Sequence, residues 1–390
     1  MKRSVDRILT THVGSLPRPD DLRAMIQLKA RGEAVDEGAF AARVKRAVAE
    51  TVRRQADAGL DIVADGEMGR VGFIPYVNER LAGIEPSSGA ETANYWWQSR
   101  EYRAFPEFYA WAAQMPGAAG QTGCTRWVCS GPVAYKGMAA LQNDIATLKT
   151  ALTSQKYEEA FMPAVSPSNL ANWNRNEYYK NEEEYLYALA DALREEYQAI
   201  IDAGLILQVD DPLLASYYVM HPEASLEDCR KWAATRVAAL NHALRGLPTD
   251  RIRYHTCYSI NIGPRVHDME LRHIIDIMLG INAGAYSFEA ANPRHEHEWK
   301  VWASVTLPEG KALIPGVITH SSNIVEHPEL VAERIGRFAK VVGRENVIAG
   351  ADCGFASFAS TCEVHPSVVW VKLQALAEGA RLASKQLWGR

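Results

Sequence analysis

Short apolar runs recur along the chain. Each ends in polar residues, and each is followed by a loop and an amphipathic stretch that leads to the next run. Eight runs read this way, over 61–67, 126–132, 161–166, 205–211, 252–258, 285–289, 313–320 and 347–354. Near-continuous apolar runs suit parallel strands buried on both faces. The stretches between them read as helices. Leu186, Leu189, Ala190, Leu193, Tyr197, Ile200 and Ile201 fall at helical spacing, and Gly204 supplies the stop. A helix over about 36–58 closes at Gly59, and one over 271–278 closes at Gly280. A third, over 328–342, opens on proline and ends at Gly343. Eight alternating units predict an α/β fold, a (β/α)8 TIM barrel.

Two features stand outside the repeat. The segment Thr10-Thr11-His12-Val13-Gly14-Ser15-Leu16-Pro17-Arg18-Pro19 packs glycine and prolines too closely for a helix or strand, and reads as an ordered loop. With the helix that follows it forms an N-terminal extension to the barrel. The stretch of about 80–125 carries Tyr95, Trp96, Trp97, Tyr102, Phe105, Phe108, Tyr109 and Trp111, and 173–179 holds a second aromatic cluster. Both leave from the C-terminal ends of runs, the side where barrels keep their active-site loops. They read either as a partial lid or as surface hairpins packed on the barrel. One barrel domain then accounts for residues 1–390.

The run ends carry the candidate chemistry: Asp65 and Glu67, Ser130, Ser166, Asp210 and Asp211, His255 and Cys257, Glu289, His320, and Cys353. One polar strand end is an ordinary helix cap. Eight together, with two histidines and two cysteines, point to a site on one face. On a strand His255 and Cys257 would point to the same side, since residues i and i+2 share a face. Glu289 from the sixth run and Cys353 from the eighth could reach the same point. Thiolate and imidazole donors favour zinc over magnesium or calcium. The alternative is that the two cysteines are buried core thiols. The remaining cysteines, Cys124, Cys129, Cys229 and Cys362, are assigned to the core. The cluster His295-Glu296-His297-Glu298 competes as a metal site by residue type, but with no strand or helix to fix its geometry it reads as a solvated loop.

Composition removes several function classes. The chain has 390 residues, 47% hydrophobic and 23% charged, and a net charge of −5. No basic run favours nucleic acid, and no apolar stretch reaches the length of a membrane span. The start of the chain lacks an apolar signal segment, so a cytoplasmic protein with reduced thiols is expected. The sequence leaves monomer and homo-oligomer open.

Taken in order, these residues resemble the catalytic barrel of cobalamin-independent methionine synthase and its shorter single-barrel relatives. The resemblance covers nearly the whole chain. It rests on His12-Val13-Gly14-Ser15-Leu16-Pro17, Asp65-Gly66-Glu67, Gly131-Pro132, Gln208-Val209-Asp210-Asp211-Pro212, His255-Thr256-Cys257-Tyr258, Glu289, His320-Ser321 and Asp352-Cys353-Gly354. It implies zinc held by His255, Cys257, Glu289 and Cys353. It implies that Ser15 meets the carboxylate of homocysteine and that Glu67 and Asp210 lie near its amino group. Asp210 and His320 are then the catalytic pair, with His320 passing a proton to the departing methyl donor. The substrate-binding set is Ser15, His12, Asp65, Glu67, Asp211 and Ser130.

The resemblance implies methyl transfer from a methyltetrahydrofolate-type donor to homocysteine. The chain departs from the long enzymes in lacking a second barrel, in carrying Asp211 where they have glutamate, and in its aromatic insertions. Some short relatives use the same metal for carbon–sulfur cleavage or for adding a thiol to an epoxide, and that alternative stays open. The expected partners are a small thiol and an alkyl donor.

Overall fold

The computed structural model describes residues 1–87, 92–93, 98–114, 124–259, 263–360 and 364–389, apart from the side chains of 92–93 and 124–125. Tyr95, Trp96, Trp97 and Cys362 lie outside the described residues, as does the side chain of Cys124. In chain order the described strands are β1 (Leu9–Thr10), β2 (Ile62–Val63), β3 (Leu81–Pro86), β4 (Thr92–Ala93), β5 (Cys124–Thr125), β6 (Trp127–Tyr135), β7 (Glu159–Val165), β8 (Asn174–Asn176), β9 (Ile206–Asp210), β10 (Ile252–His255), β11 (Ala285–Phe288), β12 (Ala312–Ile318) and β13 (Ile348–Ala351). Eight of them form one sheet in the order β1-β13-β12-β11-β10-β9-β7-β2. Its strands are parallel, and a parallel bridge between Thr11 and Ile62 joins its two edges into a barrel.

The barrel is the expected one, but one strand differs. The run 126–132 belongs to β6, which pairs antiparallel with β3 and parallel with β8 in a separate three-stranded sheet. Buried and exposed residues mix along β6, as in a sheet with one wet face. The eighth barrel strand is instead β1, two residues that end on Thr10, the first residue of the stretch read as a loop. A strand this short carries no period. Its place is set by pairing with Ile348 and Ala349, at the far end of the chain.

The barrel interior is filled in layers. Leu9, Ile62, Ala64, Phe161, Ile206, Ala285, Ala312, Ile314 and Ile348 form one apolar cluster. β10 contributes Arg253 instead, its guanidinium 3.4 Å from the centre of the Phe161 ring. Arg253 donates to Gln208 Oε1 at 2.7 Å, Thr11 Oγ1 at 2.9 Å and the His12 carbonyl at 2.8 Å. A buried guanidinium needs such acceptors to offset its lost hydration.

The outer helices follow their sequence signals. The helix Glu37–Asp57 is capped by Asp36, which accepts from Ala39 N–H at 2.9 Å, and it stops before Gly59 at φ +86°. The helix Pro328–Val342 keeps its expected bounds and ends at Gly343, φ +85°. The stretch 271–278 splits into a 3-10 turn, Leu271–His273, and a short helix, Ile275–Leu279. Among the described residues no helix is long and apolar enough to cross a membrane.

The connection after β2 docks back over the rim. Its helix Arg100–Ala104 is held by Arg100, which donates to the carbonyls of Tyr218 at 2.8 Å and His221 at 3.1 Å. The rings of Tyr102, Phe108, Tyr109 and Trp111 contact one another in sequence. In the second aromatic cluster the Tyr179 hydroxyl accepts from Val133 N–H of β6 at 2.9 Å, and its ring stacks on Tyr185. Those rings pack on the outer sheet.

Candidate metal centre and active site

The parallel ladder puts His255, the last residue of β10, level with Asp210 of β9 on one side and Ser287 of β11 on the other. Ser287 Oγ lies 3.0 Å from His255 Nδ1 and fixes the ring. His255 Nε2 is then left buried with no partner. Cys257 follows two residues on, and Cys353 arrives from the end of β13. Their sulfur atoms stand 3.3 Å apart. A ring nitrogen of His255 and the two sulfurs all lie within 4.8 Å of one another.

Burial lowers His255 to a pKa of about 3, so the ring is neutral. The hydrogen bond to Cys257, with burial, holds the Cys353 thiol well above its ordinary range. A neutral imidazole with an unpartnered nitrogen and two adjoining sulfurs is the donor chemistry that zinc takes.

Glu289 belongs to a second group beside the first. A carboxylate oxygen of Glu289, a ring nitrogen of His320 and a carboxylate oxygen of Asp352 lie within 4.8 Å of one another. Glu289 Oε1 accepts from Tyr258 N–H at 2.7 Å and from Arg265 Nη2 at 3.3 Å. Its Oε2 accepts from Arg265 Nη1 at 3.2 Å and from Asn292 Nδ2. Burial pushes the Glu289 pKa up, but the charges of Arg265 and, further off, His295 outweigh it and hold it at about 2. Burial and the Glu289 charge hold Asp352 up, at about 7. Asp352 Oδ1 accepts from the N–H groups of Ala290 and Ala291, both at 2.8 Å, and ties the end of β13 to the residues after Glu289.

The N-terminal loop lies between two strand ends. Leu16 N–H donates to the Gly66 carbonyl at 3.1 Å, and Phe355 N–H donates to the Ser15 carbonyl at 3.0 Å. Ser15 Oγ accepts from Ala356 N–H at 3.4 Å, and a Cβ on Gly354 would come within 2.0 Å of it. Ser15 therefore sits against the loop that carries Cys353. Glu67 adopts φ +57°, a left-handed conformation rare for glutamate. Its Oε2 is buried without a partner, and burial raises its pKa. Asp210 accepts from Gln208 Nε2 at 2.7 Å; burial, then the Glu67 charge, raises it well above the carboxylate range.

Four residues of the expected binding set are placed otherwise. Ser130 stands exposed on the outer sheet, bonded to Glu85 at 2.7 Å, because its run is not a barrel strand. Both ring nitrogens of His12 are engaged, Nε2 with Gln55 Oε1 at 2.7 Å and Nδ1 with Gly14 N–H at 3.1 Å, so His12 shapes the loop. Asp65 Oδ1 accepts from Glu67 N–H at 2.9 Å and closes that turn. Asp211 points to the opposite side of β9 from Asp210 and accepts from Asn169 Nδ2 at 3.1 Å. It ties the strand end to the helix Pro167–Trp173.

The sequence reading also missed charges that the fold buries. His295 and Glu298, read as a solvated loop, are 2% and 4% exposed. Arg265 comes from a Gly-Pro-Arg loop with no periodic signal, yet it faces Glu289. Arg18 donates to the Ala356 carbonyl at 2.7 Å, beside Ser15, and its Nε and Nη2 are buried without partners. That arginine stands in the quoted loop but carried no expectation.

Comparison with known proteins bears on this geometry. Residues 8–110 and 122–370 match the family described as cobalamin-independent synthase, catalytic domain. A methionine synthase of Thermococcus kodakarensis is 24% identical over 97% of this chain and 94% of its own. A 5-methyltetrahydropteroyltriglutamate–homocysteine methyltransferase of Thermotoga petrophila is 26% identical over 88% of this chain, but only 41% of that longer protein is covered. A B12-independent methionine synthase from Shewanella, solved with selenomethionine, superposes with a TM-score of 0.74 at 20% identity, covering 98% of this chain and 100% of that one.

Proposed function

Because the chain belongs to the cobalamin-independent synthase family by its catalytic domain, we propose that it is a methyltransferase that activates a thiol at the His255–Cys257–Cys353 cluster. The acceptor is homocysteine and the donor a methyltetrahydrofolate-type amine. One observation carries this reading: two sulfurs 3.3 Å apart beside a buried imidazole nitrogen with nothing to bond.

The three residues fit zinc, and they would hold it through His255 Nε2 and the two sulfurs. A free thiol has a pKa near 8.5, and bound zinc would keep the substrate sulfur deprotonated and positioned at neutral pH.

The rest of the work falls to the chain's own side chains. Burial raises the pKa of both Glu67 and Asp210, and the Glu67 charge raises that of Asp210 further. An arriving ammonium relieves that repulsion, which suits the amino group of an amino-acid thiol. The Ser15 hydroxyl, which accepts from Ala356 N–H, offers its own proton as a donor for the carboxylate. His320 has a buried, unpartnered Nδ1, and burial lowers its pKa while the Glu289 charge opposes the fall. A protonated imidazole held this way is a stronger acid than a free one, as protonation of a departing amine requires.

Elemental analysis and zinc-edge absorption on the purified protein test the reading. About one zinc per chain is expected. Its shell should gain a sulfur on adding homocysteine, and methionine should form when 5-methyltetrahydrofolate follows. A shell that ignores homocysteine but takes sulfur from another thiol moves the assignment to the carbon–sulfur lyase or thiol–epoxide class. A protein that takes up no zinc even on reconstitution overturns it.

A further inference from the structure

The barrel interior turns polar one layer below the site. Along β9, Ile206, Gln208 and Asp210 fall on the inward face, and Ile206 belongs to the apolar cluster. Along β10, Arg253 lies over the Phe161 ring and shares the inward face with His255. The register sets Arg253 beside Gln208 and His255 beside Asp210. Gln208 and Arg253 are both fully buried. Apolar side chains fill the neighbouring layer, so a guanidinium here is a burial cost that packing alone would avoid.

The chemistry of this pair fixes which way the Gln208 amide faces. A guanidinium has five N–H donors and no acceptor. Its Nε points at Gln208 at 2.7 Å, so the atom it meets must be the amide oxygen. The NH2 group is thereby turned to the other side. There it donates to Asp210 Oδ1 at 2.7 Å and to the Val13 carbonyl. An amide turned over would set its oxygen against both of those acceptors and its NH2 against a donor.

The same arginine holds the N-terminal loop. Its Nη1 donates to Thr11 Oγ1 at 2.9 Å and its Nη2 to the His12 carbonyl at 2.8 Å. That loop passes close to Glu67, since a Cβ on Gly14 would come within 2.9 Å of Glu67 Oε1. One buried cation thus ties Asp210 to the loop that lies against Glu67.

We propose that Arg253 is a positioning residue that acts through Gln208: it keeps the amide NH2 on Asp210 Oδ1 and so holds that carboxylate where the ammonium of an amino-acid thiol arrives. The inference rests on the reading above, in which Glu67 and Asp210 meet the amino group. Its consequence is selectivity. A carboxylate fixed in advance gives the ammonium its full interaction, and one free to turn gives less. The chain therefore prefers a thiol that carries the amino group over one that lacks it.

The test is calorimetric binding of homocysteine and of 4-mercaptobutanoate, which is homocysteine without the amino group, to the zinc-loaded full chain. Wild type is expected to prefer homocysteine by about 30-fold, within the range of a hydrogen bond to a charged group. Arg253→Met and Gln208→Met should each cut that preference by about tenfold, mainly by weakening homocysteine. Arg253→Met in the Gln208→Met background should change it by no more than about twofold, because the arginine acts through the amide. A mere loss of packing in the barrel would weaken both thiols alike and leave the preference in place. Gln208→Met carries the test where Arg253→Met does not fold. A preference within about twofold of wild type in a folded single variant overturns the proposal. A wild type that binds both thiols equally also overturns it, and either result leaves the zinc–thiol reading standing. A wild type that takes up no zinc, or holds zinc but binds neither thiol, overturns that reading and the inference with it.

Discussion

The sulfur atoms of Cys257 and Cys353 stand 3.3 Å apart although 96 positions of chain separate them. One follows β10 and the other follows β13, and the barrel alone brings them together. Replacing either by serine removes a soft donor and keeps the side-chain volume. Cys257→Ser and Cys353→Ser are each expected to lose bound zinc and at least about 100-fold in turnover, with the circular dichroism spectrum unchanged. Full zinc content with full turnover in either variant would show that the cluster is not the metal centre.

Ser287 stands behind His255, with its hydroxyl 3.0 Å from Nδ1. Outer groups of this kind fix the ring and its tautomer, and their removal costs about 10–100-fold in metal affinity. Ser287→Ala should weaken zinc by that factor in chelator competition. An unchanged affinity would mean that packing alone orients the ring.

His295 gives a pH dependence with a definite sign. Burial pulls its pKa down, but the hydrogen bonds to Asp268 and Glu298 outweigh this and hold it at about 9, above the ordinary 6.5. The folded state therefore binds the proton more tightly than the unfolded state. This contribution to stability is complete below the ordinary value, declines as pH rises between the two, and is gone above about 9. The decline is up to about 1.4 kcal/mol per pH unit. Urea unfolding at several pH values should show wild type more stable than His295→Gln in mild acid, with the gap closing in alkali. A gap that stays constant with pH would exclude the charged imidazole.

Lys372 is completely buried, and its Nζ lies 2.7 Å from Glu326 Oε2. The other oxygen of Glu326 accepts Thr319 N–H at 2.7 Å, one residue before His320. Lys372→Met strands the Glu326 charge and should cost about 3–5 kcal/mol. The double variant Lys372→Met/Glu326→Gln should recover much of that loss. Calorimetry reads both, and a melting point in Lys372→Met equal to wild type would show that Glu326 finds water or another partner.

Much of the barrel was legible in the chain. Buried parallel strands leave continuous apolar runs, and seven of the eight expected runs contain a barrel strand. The helix Pro328–Val342 could be read to its ends, because proline and glycine act locally on backbone angles. The residue types for a metal cluster were legible too, since His255 and Cys257 stand on one short stretch. Only tertiary structure decided which strand closes the barrel, because β1 is two residues long and gains its place from pairing with β13. Tertiary structure also sorted the acids. Asp210 and Asp211 are chain neighbours with the same side chain, yet one lies by Glu67 and the other is spent on Asn169. The buried charges that run in line from Glu289 through Arg265, Asp268 and His295 to Glu298 left no sequence signal. Its members come from separate loops, and burial with opposite charges facing one another is a property of packing in space.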